Sequence, residues 1–247
     1  MTNFYSTDLY TRTSKSYDKL SELSEKLEPL DDAKIKSVKP ILEYNRDVNK
    51  YLSLILDNFE LLSKIKLMIE NLPNSDRLED MEMTLGNYID FTVQNFYIRL
   101  YTIEELVFLL SSKIIRLGIQ DGDLSPKHIL KNQLYKDEPF VDVIKSLQKL
   151  LQPYRTKRNT VVHRGFITHE TVDKFKGIYD DLYNPDTGIS IGYYEAEVEK
   201  YRVELLTEFD SIISDVETLT KNFLDSIGGI YEDIFENILI RIEKECS

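Results

Sequence analysis

The run Arg158-Asn159-Thr160-Val161-Val162-His163 holds the residue types needed to break a phosphodiester. An imidazole titrates near neutrality, so His163 can take or give a proton at working pH. The guanidinium of Arg158 is always charged and forks onto phosphate oxygens. Asn159 adds an amide that can orient the phosphate or fix the backbone beside it. The flanking Arg155, Lys157 and Arg164 are candidates for holding neighbouring phosphates of a polyanion. From Val143 to Gly165 there are basic residues and no acidic one, in a chain whose net charge is −12. Such a local positive stretch draws in phosphate while the acidic remainder limits indiscriminate binding.

The spacing alone selects nothing. With ten arginines and three histidines in the chain, a second match occurs six residues on, where Arg164 and His169 are also separated by four residues. Asn159 next to the arginine, the basic stretch and a position at the end of a long amphipathic segment favour the first. The bland readings are a half-buried helix-end role for His163, a carboxylate partner for Arg158, a surface position for His128 and a turn position beside a cap for His169.

The elements that must position these residues are helical. Glycine (9) and proline (7) are scarce, so turns are few and elements long. Apolar residues recur at spacings of three and four, which predicts helices over about 16–27, 41–72, 80–117, 126–135, 139–154, 169–183, 195–224 and 231–243. Pro29, Leu72-Pro73, Gly118, Gly165 and Gly228-Gly229 are the expected stops, Pro153 is a bend or a restart, Asn184–Gly188 is a turn, and Ile189–Tyr194 is a short extended piece. The expected fold is an all-α bundle of about seven or eight helices. Residues 1–40 read as a polar N-terminal extension with a short helix, and 41–247 as the main domain.

Several function classes are excluded. An acidic chain offers no wide surface for duplex DNA. Cys246 is the only cysteine, and the three histidines lack metal-ligand spacing, so no metal site or cofactor is expected. No phosphate-binding glycine loop or nucleophile elbow is present. There is no apolar leader and no span of membrane length, which points to a cytoplasmic protein with no membrane partner.

An all-α domain carrying R-N-x-x-x-H after a long helix resembles the HEPN superfamily (higher eukaryotes and prokaryotes nucleotide-binding domains). The resemblance rests on Arg158, Asn159 and His163. It implies a metal-independent endoribonuclease with a toxin, anti-phage or RNA-processing role, with RNA as substrate. It also implies a homodimer whose two motifs meet in one cleft, and for toxin members an antitoxin protein as partner. Residues five apart on a helix point about 140° from each other, so a symmetric pair is the simpler way to gather both groups at one phosphate. Many toxin members carry a tyrosine two residues after the histidine; Gly165 stands there in this chain. The alternative is a non-catalytic helical dimer that binds protein or RNA.

Overall fold

The computed structural model describes residues 3–27, 31–73, 75–164, 169–182 and 191–246, with side chains omitted at 75, 76, 156–164, 176, 179–182 and 191. The fold is all-α. Among the described residues eight helices follow one another: α1 (Asp8–Lys26), α2 (Asp32–Glu70), α3 (Ser75–Asp80), α4 (Leu85–Ile114), α5 (Pro126–Leu130), α6 (Pro139–Arg164), α7 (Glu170–Leu182) and α8 (Ile191–Cys246). No strand occurs among the described residues, and no helix there is long and apolar enough to cross a membrane.

The chain divides into two compact units. The first comprises residues 1–57, 103–149 and 217–247; the second comprises 58–102 and 150–216.

In the first unit α1 is part of the core rather than an appendage, since Leu9 and Leu23 are buried with Ile41, Val48, Ile55, Val107, Leu110, Phe140, Ile144, Phe223 and Tyr231. The segment 1–40 therefore contributes a full helix and the start of another. Asp31 caps α2, its carboxylate accepting the Lys34 amide at 2.8 Å, and α2 then runs through Pro40 without stopping. The rings of Tyr44 and Tyr231 stack 5.5 Å apart. The Tyr231 hydroxyl donates to Asn45 Oδ1 at 2.8 Å and lies 2.9 Å from Ser16 Oγ, so this buried polar network is satisfied.

Gly228-Gly229, the expected break, lies inside the uninterrupted α8. The start of α1 explains one of the two. A Cβ at Gly228 would fall 2.9 Å from the Leu9 amide nitrogen and against the Asp8 carboxylate, whereas a Cβ at Gly229 meets nothing. The Asp8 amide donates to Asp225 Oδ1 at 2.8 Å, placing a carboxylate at the positive end of α1. Gly228 is thus a close-approach residue, and Gly229 is an ordinary helical glycine. Gly229→Ala should stabilise the protein by about 0.5–1 kcal/mol, while Gly228→Ala should destabilise it, because the obstructing atoms include the Leu9 backbone nitrogen as well as the Asp8 carboxylate. Urea midpoints for the two variants check this, and equal shifts in the same direction would refute it.

The second unit is built around Phe59, Leu62, Ile69, Ile89, Val93, Phe96, Leu100, Leu151, Phe175, Leu205 and Phe209. Phe96 and Phe209 stack with parallel rings 3.7 Å apart. The helix expected over 80–117 is α4, which starts later, at Leu85; the short α3 ends at Asp80, and Glu82 between them takes the left-handed conformation (φ 51°). The Met83 amide donates to the Leu78 carbonyl and the Glu82 amide to the Glu79 carbonyl, the pair of hydrogen bonds that closes a helix C-terminus. Thr84 then caps α4, its hydroxyl accepting the Asn87 amide at 3.1 Å. Residues 191–194, expected to be extended, form the first turn of α8. The expected turn at 184–188 and the stop at Gly165 lie outside the described residues.

Candidate functional site

The Arg158–His163 run lies on the last turns of α6, within the second unit. The helix continues through Pro153 to Arg164 without a break. Pro153 removes one backbone donor, yet the helix neither stops nor restarts there. Because it does not end between positions 158 and 163, those two positions are separated by about 140° around the axis and about 7.5 Å along it. The side chains of Lys157, Arg158, Asn159, His163 and Arg164 lie outside the described residues.

Arg155 is the proposed phosphate ligand whose side chain is described. It is half-buried, and its guanidinium carbon sits 5.4 Å from the centre of the Tyr101 ring. Upstream, Lys145 is engaged by Asp142 at 2.8 Å. The stretch is free of acids in sequence but not in space. Glu208 of α8 stands close to Tyr154 and, with burial as the larger cause, raises the Tyr154 phenol above its ordinary value.

Glu208 belongs to a polar cluster that the sequence did not announce. The Tyr97 hydroxyl donates to Glu208 Oε1 at 3.0 Å, and His169 Nε2 lies 3.3 Å from Glu208 Oε2. Tyr97 also stacks on Tyr154, with centroids 5.7 Å apart. Burial, reinforced by the Glu208 charge, pushes the Tyr97 phenol far up, so it stays a hydrogen-bond donor.

His169 is only 6% exposed. Its carbonyl accepts the Asp173 amide at 2.9 Å, so it occupies the cap position of α7. It is therefore a buried structural residue held by Glu208 rather than a solvent-facing one. The histidine of the second match is therefore engaged within the fold. Val172 and Phe175, three and six residues on and both buried, are the sequence signal that His169 faces inward. His128 is exposed, and its Nδ1 accepts the Ser125 amide at 3.1 Å at the start of α5.

No family model matches the chain, and neither a curated protein nor a solved structure shows a significant match to it.

Proposed function

We propose that this protein is a dimeric, metal-independent endoribonuclease of the HEPN type, serving a toxin, anti-phage or RNA-processing role. The observation that carries the reading is the run Arg158-Asn159-Thr160-Val161-Val162-His163 on one unbroken helix of an all-α protein. Two groups that diverge by about 140° on one helix are gathered at a single phosphate most simply when a second copy supplies the complement.

The chemistry follows from the residue types. One imidazole takes the proton of the ribose 2′-hydroxyl, whose oxygen then attacks the adjacent phosphorus. A new bond forms from phosphorus to the 2′-oxygen and the bond to the 5′-oxygen breaks. The leaving oxygen takes a proton from the second imidazole of the pair. The Arg158 guanidinium bears on the charge that gathers on the non-bridging oxygens, while Asn159 orients the phosphate. The internal nucleophile restricts the reaction to RNA. The products are a 2′,3′-cyclic phosphate and a 5′-hydroxyl.

The test uses the whole purified chain with single-stranded RNA and excess EDTA. The expected result is cleavage with those end groups, no cleavage of DNA of the same sequence, and a dimer in sedimentation. Strict metal dependence, or a strictly monomeric active species, would exclude the proposed site. Intact RNA, with binding retained by a dimer, would instead indicate a non-catalytic binding module.

A further inference from the structure

A cleft of about 590 Å³ opens in the first unit, between the start of α2 and the last turns of α8. Its apolar floor is a single ridge of α8, with Ile234, Ile238 and Ile242 spaced four residues apart. Eight residues of helix make this ridge about 12 Å long. The rim carries Lys36, Arg116 and Arg241, against one acid, Glu245. Arg241 donates to Glu245 at 2.8 Å. Lys36 and Arg116 form no ion pair among the described residues. Glu43 and Asp47 line the neighbouring cleft that Arg116 also borders, but they are engaged by Lys39 and Arg46, so two cations without an ion pair stand beside an apolar trough in a chain at −12.

Arg116 is the more telling of the two. It follows α4 in the left-handed conformation (φ 52°), a position ordinarily given to glycine. The turn is held from several sides. The Leu117 amide donates to the Ser112 carbonyl at 3.1 Å, the Arg116 amide to the Lys113 carbonyl at 3.2 Å, and the Tyr44 hydroxyl to the Ile114 carbonyl at 3.1 Å. A strained non-glycine residue persists where its surroundings over-determine it and where the side chain has a use. This side chain lies at the junction of the large cleft and a neighbouring one of about 330 Å³. Pro40 lines both clefts.

We propose that this cleft binds a small amphipathic anion, with its charged head between Lys36 and Arg116 and its apolar body along Ile234, Ile238 and Ile242. The volume suits a small organic molecule, and the pairing of cations with an isoleucine ridge matches a head-and-tail ligand. The site lies in the first unit, whereas Arg158 and His163 lie in the second, so the proposal stands independently of the ribonuclease reading.

The experiment is calorimetric titration of the full chain with decyl phosphate below its micelle concentration, beside decyltrimethylammonium and inorganic phosphate. Decyl phosphate should bind, and the other two should bind at least about tenfold more weakly. Arg116→Gly separates role from structure. Relieving the left-handed strain should raise Tm by about 2–4 °C, while affinity for decyl phosphate falls about tenfold. Lys36→Gln, at an exposed position, should weaken binding similarly, and Ile238→Ala should weaken it through the floor. Unchanged affinity in Arg116→Gly, equal binding of the cationic amphiphile, or equal binding of inorganic phosphate would each overturn the proposal.

Discussion

Replacing His163 with alanine should lower the rate of RNA cleavage by about 10²–10⁴-fold, the usual worth of a positioned general acid or base. His169→Ala should leave the rate per folded molecule unchanged and act on stability instead. His169 is 6% exposed and sits 3.3 Å from Glu208. Its removal takes a buried partner from that carboxylate, at a cost of about 1–3 kcal/mol. For a chain of this size that is several degrees of Tm, since each kcal/mol shifts it by roughly 2–4 °C. Initial rates measured well below the transition, with melting curves on the same samples, separate the two effects. Equal loss of rate in both variants would remove Arg158–His163 as the reactive pair.

Phe209→Ala should be among the most damaging single changes to the second unit. Its ring is fully buried and lies flat against Phe96 at 3.7 Å. Truncation removes that contact and leaves a void the size of a benzene ring, which costs about 3–5 kcal/mol and lowers Tm on the order of 10 °C. Phe91→Ala is the matched control, because Phe91 is largely exposed and should shift Tm little. A denaturant melt of each checks this, and a Phe209→Ala shift no larger than that of Phe91→Ala would contradict the packing described.

The fold class was legible because three-and-four periodicity reports the buried face directly, and nearly every residue on the predicted stripes of α2, α4 and α8 is buried. The ends were less legible, and for one reason. Residues that punctuate isolated helices lie within continuous ones here. Pro40 and Pro153 lie inside helices, and Gly228 is glycine because α1 abuts it rather than because α8 ends. Conversely, the left-handed turns at Glu82 and Arg116 close helices without any glycine, so no composition rule would locate them. Gly118, the expected stop, does take a positive φ, but four residues after the last residue of α4.

For the candidate site, sequence placed the arginine–histidine run at a helix end; the run lies on α6, which is described up to Arg164, and the residues that follow it lie outside the described ones. The role of His169 was hidden because its partners, Tyr97 and Glu208, are distant in sequence. The cleft beside Arg116 was hidden for the same reason, since its walls come from the starts and ends of three separated segments.

The interleaving of segments in the two units has a consequence for how the molecule comes into being. The first unit needs residues 217–247 as well as 1–57 and 103–149, so it cannot close while the ribosome is still working on α8. The second unit needs residues up to 216 and is complete earlier. A nascent chain therefore carries the Arg158–His163 helix long before α1 has Gly228 to rest against. Chains that stall between residues 216 and 228 would therefore hold every segment of the second unit while the first is still open, with Leu9 and Leu23 of α1 short of the last segment of their core.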